Sequence, residues 1–117
     1  MLENGPAIKV TIHLNRDTGA KDGFLVDDVL AFLRRNDIEG ATVLQAHAGY
    51  GVHRQLHTAG AGDVAGLHLP VLIYFVERQQ KLDAIFDELL SMVTDGLVEA
   101  HATNVLKCVT SSAKVIS

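Results

Sequence analysis

The sequence is short of the features that mark several large functional classes. It holds one cysteine, Cys108, in 117 residues, which excludes an intrachain disulfide; with no second thiol, packing is its expected role rather than redox chemistry. It is also short of positive charge. Ten Lys and Arg stand against fourteen Asp and Glu, a net charge of −4, so a surface that tracks a nucleic-acid backbone is not expected beyond a local basic patch. No apolar run approaches the roughly 18 residues that cross a bilayer. The opening MLENGPAIK lacks the basic-then-apolar layout of a secretory signal, so a cytoplasmic protein, not itself embedded in a membrane, is expected. Gly-x-Ser-x-Gly, Walker A and His-Glu-x-x-His are all missing, and no other nucleophile-plus-base pattern stands out, so the expectation is a non-enzyme.

What is present favours a folded body. With 48% hydrophobic and 21% charged residues the composition forms a core, and the length suits a single domain over 1–117. Ile8, Val10, Ile12 and Leu14 alternate with Lys9, Thr11 and His13, the period of a strand with one buried face. Turn chemistry follows. A first helix is expected from Phe24, capped by Asp22 or Gly23, with Leu25, Val29, Phe32 and Leu33 on its core face and Val26 and Leu30 widening it. Asp27 and Asp28 in its first turn and Arg34 and Arg35 in its last suit the helix dipole; Asn36, Asp37 and Gly40 end it.

Residues 41–48 read as a second strand and 69–76 as a third, in which both parities are apolar, as in a strand buried on both faces. Residues 78–94 give a second helix with a core stripe of Leu82, Ile85, Phe86, Leu89, Leu90 and Val93. Asp83, Asp87 and Glu88 fall on its polar side, and Asp95-Gly96 reads as its stop, Gly96 taking the left-handed conformation beyond the helix end. Residues 97–109 form the last strand, irregular near 101–104, and the tail from Ser111 is small and polar apart from Val115 and Ile116.

The exceptional piece lies between the second and third strands. It holds Gly49, Gly51, Gly60, Gly62 and Gly66, half of the ten glycines, and runs far beyond the usual connection of about 4 to 6 residues. A segment of that kind is expected to present a surface. The order β-α-β-β-α-β points to an α+β, ferredoxin-like domain, an antiparallel four-stranded sheet with two helices on one face. No third helix remains for the other face, so Leu72, Tyr74 and Val76 are expected to be covered by copies of the same chain, a homo-oligomer.

Taken together, GATVLQAHAGYG, a loop containing His57, then LPVLIYFVE, a helix and DGLVEAH resemble the PII-like signalling family, in its small branch known as a domain of unknown function. The resemblance covers residues 8 to about 105. It implies a homotrimer of ferredoxin-like subunits in which residues 49–68 stand where PII proteins carry the T-loop, the segment that contacts target proteins such as a membrane transporter or channel. It also implies an adenine nucleotide or small anion held between subunits. Gly49, Tyr50 and Gly51 match the family's Gly-aromatic-Gly element, where backbone N–H groups approach phosphates, and His53, Arg54 and Gln55 supply polar groups after it. Read alone, the same glycines equally suit a bulge or turn. Lys107 is expected to close the site from its own or the adjacent subunit. Two departures stand out: only Thr94-Asp95-Gly96-Leu97 follows the second helix, in place of the family's glycine- and lysine-containing phosphate loop, and residues 52–68 contain no tyrosine for nucleotidylation.

Six histidines raise the alternative of a metal-binding or small catalytic protein on the same scaffold. His53 and His57 stand four apart, a spacing that brings two ligands together on a helix, but a site needs three or four converging groups, and solvated loop histidines are the simpler reading. His13 and His47 read as half-buried strand residues, and a histidine pair at a subunit interface is a pH-sensing arrangement.

Overall fold

The computed structural model describes residues 1–15, 18–20, 23–50, 57–58 and 69–111, with the backbone alone at 20, 57 and 58. Strand β1 spans Gly5–Asn15, and its alternation buries Val10, Ile12 and Leu14 while Lys9, Thr11 and His13 stay half-exposed. After it come the two-residue ladder β2 (Gly19–Ala20) and β3 (Gly23–Phe24), helix α1 (Leu25–Arg35), β4 (Thr42–Gln45), a second short ladder β5 (Ala48–Gly49) and β6 (His57–Thr58), β7 (Pro70–Glu77), helix α2 (Gln79–Met92) and β8 (Leu97–Val105). The main sheet runs β4-β7-β1-β8 with every neighbour antiparallel, so β1 and β7 are central. Both helices cover one face, an α+β ferredoxin-like fold, where Val29, Phe32, Leu33, Leu82, Ile85 and Leu89 close on Val10, Ile12, Leu14, Val71, Ile73 and Phe75.

Helix α1 buries the expected Leu25, Val29, Phe32 and Leu33, with acid in its first turn and base in its last. Its start differs from expectation. Phe24 is the N-cap, with no side-chain cap bond, and the Leu25 N–H donates instead to the Thr18 carbonyl at 2.8 Å, which ties the helix to the end of β1. At its other end Asp37 takes φ 61°, its N–H donating to Arg34 and that of Ile38 to Leu33. That is a Schellman closure with an aspartate in the usual glycine place, and Ile38 is buried behind it.

In β7 Val71, Ile73, Phe75 and Glu77 are buried, and Leu72, Tyr74 and Val76 are half-exposed in the single chain, on the face that has no helix over it. Three further expectations are corrected. Strand β8 is regular through 101–104 and ends at Val105, every residue of it facing β1. The second strand stops at Gln45, leaving His47 exposed in a bend; past it Ala48 and Gly49 face Thr58 and His57, so the long connection is a hairpin at its base. Helix α2 ends at Met92, and Leu90, placed on the core stripe, is 49% exposed.

Gly96 does not cap α2 either. Val93 closes that helix in an extended conformation, and Gly96 sits at φ 156° pressed against β1. A β-carbon there would run into the His13 carbonyl oxygen and lie 2.8 Å from Leu14 Cδ2. Gly96→Ala is therefore expected to cost about 2–4 kcal/mol in urea denaturation. Gly40→Ala, where a β-carbon meets nothing within 4 Å, serves as the control and should change stability by less than about 0.5 kcal/mol.

Candidate functional site at the loop end of the sheet

The register decides which chain segments meet. Asn15 faces Pro70, Gln45 faces Val71 and Leu97 faces His13, so the ends of β1 and β4 and the starts of β7 and β8 share one end of the sheet. The turn at 93–96, the β5–β6 hairpin and the connection after β1 all leave from that end. The Ala46 N–H makes the last bond to β7, reaching the Pro70 carbonyl at 2.8 Å, before the chain bends at His47.

Gly49 and Tyr50 stand at this end. A β-carbon on Gly49 would lie 3.0 Å from Pro70 Cγ, so a small residue is needed to let the hairpin base lie on the proline ring. Tyr50 is 67% exposed. Gly51, His53 and Arg54 lie outside the described residues, as does the side chain of His57. Lys107 is not brought to the same place within one chain. It follows β8 beyond Val105, which faces Gly5 at the far end of β1, and a strand of that length separates the two ends by roughly 30 Å.

On the sheet face away from the helices, a row runs across the same end: Leu44, Leu72, His13 and Leu97. The outer two are 49% and 52% exposed. His13 Nε2 lies 2.6 Å from Glu99 Oε2, a pair set diagonally across β1 and β8. The next row carries Thr42, Tyr74, Thr11 and Glu99, with the Lys9 ammonium 4.6 Å from the centre of the Tyr74 ring. The sequence reading expected an apolar face. It missed the His13–Glu99 contact, because diagonal partners follow from register and not from spacing along one strand.

A second feature lies at the opposite end. A cleft of about 420 Å³ is lined by Met1, Glu39, Glu77, Arg78 and Lys81 among others. Its charges answer one another. The Met1 ammonium is 2.6 Å from Glu39 Oε1; hydrogen bonding between them holds the Glu39 carboxyl below its ordinary pKa and raises that of the amine. Buried Glu77 accepts the Arg78 N–H at 2.9 Å and lies 3.6 Å from the Lys81 ammonium, which also donates to the Asp37 carbonyl. A carboxylate beside the first turn of α2 suits that helix's dipole. Among the described residues no three His, Cys, Asp or Glu side chains gather as metal ligands. None of their helices is long and apolar enough to cross a membrane.

The family profile DUF190, described as Uncharacterized ACR, matches residues 7–105. The chain belongs to the DUF190 family. Among solved structures, this DUF190 chain is similar to CPII, a nitrogen regulatory PII-like protein from Thiomonas intermedia bound to ADP, AMP and bicarbonate. The TM-score is 0.66 at 15% identity, over 92% of this chain and 94% of that one. A PII-like signaling protein from Thermus thermophilus matches at TM-score 0.58 and 18% identity, over 89% and 91%. The apo form of CPII matches at TM-score 0.57 and 13% identity, over 90% and 97%. At these identities the likeness is one of fold.

The Gly49–Pro70 contact gives a test of the loop base. Gly49→Val should lower stability by about 1–2 kcal/mol in chemical denaturation, since the proline ring has little room to yield. An unchanged midpoint would mean that the hairpin base does not rest on Pro70.

Proposed function

We propose that this chain is a PII-like regulatory protein: a cytoplasmic, non-enzymatic homotrimer that takes an adenine nucleotide or small anion between subunits and presents residues 49–68 to a target protein, such as a membrane transporter or channel. The observation that carries the reading is the combination of an uncovered sheet face with a long segment whose hairpin base stands at one end of that sheet. Leu44, Leu72, Tyr74 and Leu97 lie on that face, and covering them with second copies removes apolar surface worth roughly 25 cal/mol per Å². The binding of ADP, AMP and bicarbonate by CPII, a protein of the same fold, supports the choice of ligand class.

On this reading Gly49, Tyr50, Gly51, His53 and Arg54 belong to the ligand-facing base of the segment. Lys107 reaches it from the neighbouring subunit, since its own subunit places it at the far end of the sheet. Backbone N–H groups flanked by glycines form anion-binding nests, and an aromatic ring beside them suits a base. The two residues Asp95 and Gly96, which stand where a phosphate loop is expected, offer no cation, so Arg54 and Lys107 carry the charge complementarity.

Assembly is tested by light scattering at micromolar concentration. The wild type should run at three times the 12.6 kDa chain mass, and Tyr74→Glu should dissociate it. A monomeric wild type removes the basis of the proposal. Ligand binding is tested by thermal shift with ADP, AMP and bicarbonate, with divalent metals alongside. At a hundredfold excess over Kd a ligand that binds only the folded chain adds about 2.7 kcal/mol, a rise of several degrees for a domain of this size. Gly51→Val should abolish the rise and leave the trimer intact. Stabilisation by metals alone would favour the metal-binding alternative, and no response to any probe would leave the segment governed by its protein target.

A further inference from the structure

The proposed trimer covers the open sheet face, and that face is not purely apolar. His13 and Glu99 sit within it, Nε2 to Oε2 at 2.6 Å, with His13 between Leu72 on β7 and Leu97 on β8. In the single chain the pair is wet, the side chains being 41% and 52% exposed. Resting on the trimeric reading, we propose that the His13–Glu99 pair makes subunit assembly sensitive to pH, and that association strengthens when His13 is protonated.

The argument follows from what burial does to each charge state. Against apolar neighbours a lone carboxylate is costly, whereas a carboxylate matched by an imidazolium at hydrogen-bond distance loses much less on desolvation. With His13 neutral, its Nε2–H still donates to Glu99, but the negative charge is carried into the interface unmatched. With His13 protonated, the pair enters as a neutral unit. Assembly therefore favours the protonated ring, and by reciprocity protonation favours assembly. Histidine ordinarily changes charge between pH 5 and 8, which places the response in the physiological range.

Other groups face the same region. Lys9 is on the same strand, two rows away, held over Tyr74 of β7, and His101 on β8 lies directly opposite Lys9. Asp95 precedes Gly96, whose backbone abuts the His13 carbonyl, and β4 contributes only Thr42 and Leu44. Lys9 stands over the Tyr74 ring, and the group at hydrogen-bond distance from the Glu99 carboxylate is His13. His101 is exposed beside Lys9, and its protonation adds a like charge there, which opposes the sign expected from His13.

The test is the trimer dissociation constant by sedimentation equilibrium at pH 5.5, 7.0 and 8.5, for wild type, His13→Gln and Glu99→Gln. Wild type should weaken by about tenfold per subunit from the lowest to the highest pH, a coupling of ordinary size. His13→Gln should remove the strengthening at low pH, leaving only the opposing contribution of His101. Glu99→Gln should reverse it, since an amide matches a neutral imidazole and leaves an imidazolium unanswered. A wild-type trimer with the same constant at all three values overturns the proposal and leaves the trimeric reading standing, as does a wild-type slope that survives in His13→Gln. A chain that is monomeric at every pH overturns both.

Discussion

Strand β1 is paired along both edges, Ile8 to Asn15 with β7 and Gly5 to His13 with β8, and the positions of everything else follow from that register. Because side chains alternate across a strand, a slip of one residue would turn Val10, Ile12 and Leu14 to the open face and bring Lys9, Thr11 and His13 beneath the helices. The core forbids such a slip. Once β1 is fixed, its far end determines where Pro70, Leu97 and, through β7, Gln45 come to rest, and so where the long segment is rooted. Gly96 locks the same register from the other side. The turn from α2 can reach β8 only by lying on the His13 carbonyl, a contact that no side chain larger than hydrogen allows.

How much of this could be read in the sequence depends on whether a feature leaves a period. The alternation of Ile8 to Leu14 and the α1 face of Leu25, Val29, Phe32 and Leu33 are periodic, and both are found as read. The run from Leu69 to Val76 is apolar in both parities, so it says nothing about which side meets the helices; Val71, Ile73 and Phe75 prevail because they are in register with Leu14, Ile12 and Val10. Leu90 looks like part of a stripe and is exposed, since α2 contacts the sheet along a narrower face than its apolar residues occupy. Features made of one or two residues left no period. The pairing of Ala48 and Gly49 with Thr58 and His57 is one, and Asp95-Gly96 is another, where the same dipeptide serves a helix stop or a close approach of two backbones.

The positions of the candidate residues in the fold were legible in part for the same reason. Gly49 and Tyr50 fall at the base of the long segment, as their position after a strand suggested, yet Gly49 also has a packing role against Pro70 that composition could not reveal. Lys107 was grouped with them because it follows the last strand, and an antiparallel strand carries its end away from its beginning. The nine residues of β8 place Lys107 at the opposite end from Leu97. On the proposed reading a second subunit reunites these residues, so the composition of the site and the existence of the oligomer are a single question for this chain.

His13 is where those two matters touch. Its carbonyl supports the turn at Gly96, at the loop end of the sheet, while its imidazole faces away from the helices toward Glu99. Movement of the turn would shift the backbone of β1 at a residue whose side chain stands on the proposed interface. Packed elements of this kind pass displacement on rather than absorbing it, because the core beneath them, Ile12 and Leu14, is fully enclosed. On the proposed reading, a ligand held at the loop end and a proton that charges His13 therefore act on the same short stretch of β1. Coupling between them needs no longer path than one residue's backbone and its side chain, and it is reciprocal in binding free energy.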